Sequence, residues 1–277
     1  MHSAGAGYII ISEVPQAGPE LRKQRGFKAA ERRRCVRVAN EGGEWIMKGL
    51  DWNDPYRIRS WRELINWINE VGFLPLFANE VPGFSAEEHV SPLFWWTGDP
   101  EQDPWEWREI IPATGEVAYG KFFNNKTGFI SREWFPFFAN ARRDGYDFDA
   151  AWDDGLMQRR YKAIMDICED GEMHPGYELK PAAGFGKDGY KNFDGCMAQL
   201  QKQTYLIIRK FERRRNKRGQ SYGMAVSFYQ KPEELWGYGH VTSAYKEEPK
   251  LSEERIFARA RELFPEGSDT ALRRVLS

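Results

Sequence analysis

Between Phe193 and Tyr229 the chain passes from helical to strand periodicity and then doubles back around a turn crowded with arginine. No other stretch constrains the fold as strongly. Phe193, Cys196, Met197 and Leu200 recur at helical spacing within a predicted helix over Asn192–Lys202. Thr204–Arg209 is β-branched and aromatic, Arg213–Gly219 is a basic turn, and Tyr222–Tyr229 is a second strand. Upstream, Leu156, Met157, Tyr161, Ile164, Met165 and Cys168 mark one face of a helix from about Gly155 to Glu169, and Gly176–Gly184 suits a second, brief helix. Gly184-Phe-Gly-Lys-Asp-Gly189 lacks the preceding strand and spacing of a nucleotide loop, and reads as a turn into the third helix. Helix, short helix, helix, strand, basic hairpin, strand is the order of a winged-helix unit over residues 148–230.

The first half follows a related layout. Ser60-Trp-Arg-Glu63 is a capping box ahead of Trp61, Leu64, Ile65, Ile68 and Val71, and Gly72 ends that run. Ser85-Ala-Glu-Glu88 repeats the box with no long apolar run behind it. Pro104 opens a helix through Ile111; Val117–Phe123 and Phe129–Ser131 read as strands around Asn124-Asn-Lys-Thr-Gly128; Pro136 opens another helix that stops by Gly145. Ser252–Phe264 and Asp269–Leu276 read as C-terminal helices. The expected fold is α+β, with winged-helix-like units in tandem: 46–147, then 148–277 with the C-terminal helices. Residues 1–45 are expected to form a basic, flexible extension, with order beginning near Trp45. An arm that grips phosphates through its crowded cations, Arg22 to Arg37, is the other reading.

With 40 basic and 41 acidic residues in 277, no global charge draws the chain to nucleic acid, so any such surface is a local patch. Apolar runs such as Tyr8–Ile11 and Leu93–Trp96 are too short to span a bilayer, and the N-terminus lacks a signal-peptide pattern. A cytoplasmic location is the default expectation. Three separated cysteines and four scattered histidines offer no metal-ligand spacing, and no cofactor is expected. The 11 Trp and 18 Phe suit core filling, with an aromatic-lined cleft as the other reading.

Chemistry concentrates in the hairpin. Arg209, Lys210, Arg213, Arg214, Arg215, Lys217 and Arg218 surround a single acid, Glu212, and such guanidinium density suits phosphate contacts that hold register without reading sequence. A solvated, soluble hairpin tip is the alternative. At 100° per residue the third helix turns Lys191, Gly195, Ala198 and Lys202 away from its apolar line, which predicts backbone-led binding of duplex DNA. Lys126, in the equivalent turn of the first half, joins the DNA-binding candidates. His240 suits acid–base chemistry or a structural hydrogen bond; Asp147, Asp149, Asp153 and Asp154 suit a helix start better than a metal.

The run Phe193-Asp-Gly-Cys-Met-Ala-Gln-Leu-Gln-Lys-Gln-Thr-Tyr-Leu-Ile-Ile-Arg209 resembles the AlkZ-related proteins, relatives of winged-helix DNA glycosylases that excise alkylated and crosslinked bases. Val117–Phe123, Phe129–Phe138 and Leu235–Tyr245 support the resemblance, which covers roughly residues 56–277. It implies a tandem winged-helix protein that binds DNA. Active members of the wider family position a water with a short Gln-x-Asp or Gln-x-Gln motif, for which this chain offers Gln199-Leu-Gln201 and Gln201-Lys-Gln203. Residues two apart on a helix diverge by about 200°, so Gln201 and Gln203 converge only where the chain is extended. Packed structural amides are the other reading of both. A non-catalytic regulator or protein-interaction module is the alternative function.

Overall fold

Short local rules build most of the elements. The computed structural model describes residues 35–39 and 46–277. Strand β1 (Cys35–Ala39) pairs antiparallel with β2 (Ile46–Leu50), so regular structure precedes Trp45, where order was expected to begin. The basic run from Arg22 to Arg34 lies outside the described residues.

Ser60 caps helix α1 (Trp61–Val71) by accepting from the Glu63 amide at 3.2 Å, and the Glu63 carboxylate reaches back to the Arg59 amide at 3.1 Å. Gly72 ends the helix at φ 99°, where a Cβ would lie 2.7 Å from the Trp134 ring. Strand β3 (Phe73–Pro75) and two short 3-10 turns, Glu87–His89 and Pro92–Phe94, lead to α2 (Pro104–Thr114). Strands β4 (Val117–Phe123) and β5 (Lys126–Ser131) meet at Asn124 and Asn125, whose φ values of 45° and 61° suit a tight hairpin turn. The second strand therefore starts at Lys126, earlier than Phe129. Helix α3 (Phe135–Arg143) follows.

The expected helix from Gly155 is broken. Instead α4 (Phe148–Asp153) stops, Gly155 turns left-handed at φ 72°, Leu156 is exposed, and α5 (Arg159–Met165) starts afresh. Next come β6 (His174–Pro175), α6 (Gly176–Ala182), α7 (Phe193–Lys202), β7 (Ile207–Arg215) and β8 (Ser221–Gln230). The chain finishes with α8 (Pro232–Trp236), α9 (Tyr238–Val241), α10 (Pro249–Leu263) and α11 (Asp269–Leu276). No described helix is long and apolar enough to cross a membrane.

The result is a mixed α/β protein around a six-stranded antiparallel sheet ordered β3-β5-β4-β7-β8-β6. Each half contributes a hairpin plus one short strand, and the halves join at β4–β7, where Tyr119 pairs with Ile208. Two apolar clusters lie beneath it. One gathers α1, β3–β5 and α3 together with Ile256, Leu263, Phe264, Leu272 and Val275 of the C-terminal segment. The other holds Phe148, Ile164, Cys168, Leu179, Phe193, Met197 and Tyr205. Thus the C-terminal helices, expected to extend the second unit, fill the core beneath the first hairpin.

One buried guanidinium sets the join between α7 and β7. Arg143 donates from Nε to the Thr204 hydroxyl (3.2 Å), from Nη2 to the Thr204 carbonyl (2.6 Å), and from Nη1 to Glu233 (2.6 Å) and the Tyr245 hydroxyl (3.2 Å). Burial alone would depress its pKa, but the neighbouring Glu233 carboxylate and Tyr245 outweigh this and hold it protonated. Pinned in this way, Thr204 sits at φ 63°, a strained conformation for a β-branched residue. The strand consequently begins at Ile207 rather than Thr204.

Candidate nucleic-acid interface

The β7–β8 hairpin reaches well past its partners in the sheet. Arg213 pairs with Ala225, and a register shift then brings Arg214 opposite Tyr222, with Gly223 at φ 71° inside the irregularity. Such a bulge sharpens local twist. Asn216 organises the tip: its Oδ1 accepts from the Arg218 amide at 2.9 Å and the Gln220 amide at 3.0 Å. Gly219 completes the turn at φ 77°, donating to the Asn216 carbonyl. Arg213, Arg214, Arg215, Lys217 and Arg218 are all exposed, and none forms an ion pair with a described residue.

Successive strand residues face opposite ways, and the arginines divide accordingly. The Arg214 guanidinium lies 4.2 Å from the ring centre of Tyr177 on α6. Arg213 acts electrostatically on Glu109 of α2, whose carboxyl is pushed upward mainly by burial and drawn back by Arg108 and Arg213. Tyr222 and Met224, exposed by 51% and 79%, add an apolar edge beside the cations. Strand alternation through Tyr222–Tyr229 was the available signal for these two residues, and the charge pattern alone missed them.

The remaining sequence candidates are placed differently. Arg209 donates to the Pro112 carbonyl and, at 3.2 Å, to Gln230 Oε1; burial lowers its pKa. Lys210 pairs with Glu212 at 2.7 Å and covers the Phe228 ring. Lys191 closes its own loop by donating to the carbonyls of Gly186 and Lys187. Lys126 is exposed beside the β4–β5 turn, and Lys202 sits at the opposite end of β7 from the arginine tip. On α7, Gly195, Ala198 and Lys202 are half-buried, and Asp194 is the exposed residue. The lysine-flanked outer face expected of that helix is therefore only partly exposed, and α7 also packs against β4. His240 Nε2 lies 2.9 Å from the Arg132 carbonyl, and Asp147 accepts from the Tyr238 hydroxyl at 2.8 Å. Among the described residues no group of His, Cys, Asp and Glu is arranged to hold a metal ion.

The family model described as AlkZ related matches residues 58–277. The chain belongs to this family. No curated protein and no solved structure matches it.

In this AlkZ-related chain the two candidate glutamines differ sharply. Gln201 is 1% exposed; its Oε1 accepts from the Lys121 amide at 3.2 Å and its Nε2 donates to the Met197 carbonyl at 2.9 Å. It bridges α7 to β4. Gln203 caps the helix, and its Oε1 is buried with no hydrogen-bond partner among the described residues. The two side chains do not converge on a shared acceptor.

Proposed function

We propose that this AlkZ-related protein is a cytoplasmic duplex-DNA binder built from two winged-helix-like units in tandem, with the β7–β8 hairpin as its principal grip. The repeated order supports the architecture. The first half reads α1, β3, 3-10 turns, α2, β4, β5, and the second reads α5, β6, α6, α7, β7, β8. The observation that carries the function is the exposed hairpin with five cations that form no ion pair among the described residues, around an ordered tip. Phosphates are the natural counterions for such a strip, and Tyr222 and Met224 suit contact with sugars or base edges in a minor groove.

Recognition on this reading is led by the backbone, because the outer face of α7 is only partly exposed and carries small residues. Excision of alkylated bases, the activity implied by glycosylase relatives, finds little support in the glutamines: Gln201 would have to give up both its bonds to orient a water. Binding without excision is the better-supported form of the proposal.

The test is fluorescence anisotropy with several unrelated duplexes across a salt series. Replacing Arg213, Arg214 and Arg215 by alanine is expected to weaken every duplex alike and to flatten the logarithmic salt slope by about 2 to 3. Unchanged affinity and slope would refute the hairpin as the grip. Incubation of wild-type protein with alkylated duplex, scored for abasic sites, separates binding from excision.

A further inference from the structure

A second basic site lies away from the hairpin, where α3, α10, α11 and the end of α7 enclose a cavity of about 310 Å3. Its walls are apolar and aromatic: Phe138 from α3, Ile256 and Phe257 from α10, and Leu276 from α11. Arg142, Lys202 and Arg273 open onto it, against a single acidic side chain among the described residues, Glu253.

These cations are held in different ways. Arg142 donates to three main-chain carbonyls, Phe122 (2.6 Å), Lys202 (3.1 Å) and Leu276 (3.1 Å), and its guanidinium lies 4.7 Å from the Phe138 ring centre. Burial lowers its pKa to about 9, and no carboxylate among the described residues offsets the loss of solvent. Two of those carbonyls end α7 and α11, whose dipoles favour a cation but leave its formal charge unmatched. Arg273 lies 4.0 Å from the Phe257 ring centre. Neither Arg273 nor Lys202 has an ion-pair or hydrogen-bond partner for its charged group among the described residues. Ser277 also borders the cavity, with its main-chain oxygen taken by the Asn124 amide at 2.9 Å.

The occupant must satisfy both walls and charge. The space is about ten times the ~30 Å3 share of one water, too large for an isolated oxyanion and within the range of small-molecule pockets. Among the described lining residues, three cationic side chains against one acidic side chain leave a surplus that suits a phosphate monoester, which carries about −1.5 to −2 near neutral pH, better than a single carboxylate. The half-buried Phe257 suits a planar ring packed beside it. We propose that this cavity binds a nucleoside monophosphate, with the phosphate between Lys202 and Arg273 and the base against the half-buried Phe257 and Leu276. The group could come from a free nucleotide or from the 5′-phosphorylated end of a nucleic-acid strand; both present the same chemistry.

Calorimetric titration with adenosine 5′-monophosphate tests the assignment, using the full chain with adenosine and inorganic phosphate as controls. Saturable binding of the monophosphate is expected, with adenosine and phosphate each weaker by about tenfold or more, since each forfeits one half of the contacts. Lys202→Ala and Arg273→Ala, which remove half-exposed or exposed side chains, should each lower affinity about fivefold to tenfold while leaving the thermal unfolding midpoint in place. A 5′-phosphorylated oligonucleotide that binds more tightly than its 5′-hydroxyl twin, with the difference lost in both variants, assigns the site to strand ends. The monophosphate binding without that difference assigns it to free nucleotide. Absence of monophosphate binding at millimolar concentration, or binding indifferent to both substitutions, overturns the proposal.

Discussion

Gln201 and Gln203 show how little residue identity says before a partner is known. They stand two apart with the same amide, yet Gln201 is paired at both ends and Gln203 buries an acceptor that meets no donor among the described residues. Gln201→Leu removes the side-chain acceptor of the Lys121 amide, and is expected to cost about 1–3 kcal/mol in urea denaturation. Gln203→Leu removes an unsatisfied oxygen, so it should be neutral or mildly stabilising. Equal losses at the two positions would contradict this division. Helical spacing sets the two amides about 200° apart but does not say which one is bonded: Gln201 finds its partner 80 residues away.

At the level of elements, turns were the most legible features and strand starts the least. Asn124 and Asn125 adopt the positive φ that their composition suggests, because asparagine tolerates a left-handed backbone. Asn125→Val should therefore lower stability by about 1–2 kcal/mol, while Asn125→Gly should leave the thermal midpoint unchanged or raise it. Thr204 is the opposite case. A β-branched residue there predicts strand, and only the distant Arg143 explains its left-handed turn. The arginine hairpin was legible as an element, since its charge and turn residues lie close in sequence. The inward packing of α7 was not, because the strand β4 that covers it comes from the other half of the chain.

Over the whole molecule, buried thiols provide a measure of core integrity. Cys168 is fully enclosed, and burial pushes its thiol up to about 12 from an ordinary value of 9.0. Between those values the unfolded chain has released its thiol proton while the folded chain keeps it, so stability falls as pH rises from 9 towards 12. From pH 8 to pH 10 the wild type should lose about 1.4 kcal/mol more than Cys168→Ala, read from urea midpoints and slopes. Identical pH dependence in the two proteins would show that the thiol is not protected. Here too the sequence was informative about contents more than borders. The apolar faces of α7 and α10 were evident from spacing, but nothing in their periodicity indicated which hairpin each would cover.

The apolar cluster beneath the first hairpin has a consequence for synthesis. Leu64, Phe73 and Phe129 leave the ribosome early, yet Ile256, Leu263 and Val275, against which that cluster closes, emerge after every residue of the second cluster. The later half of the sequence can therefore complete its core first, and the earlier half waits with exposed aromatic surface until translation has passed α11. Nascent chains halted before Ile256 should consequently be the form of this protein most dependent on chaperones.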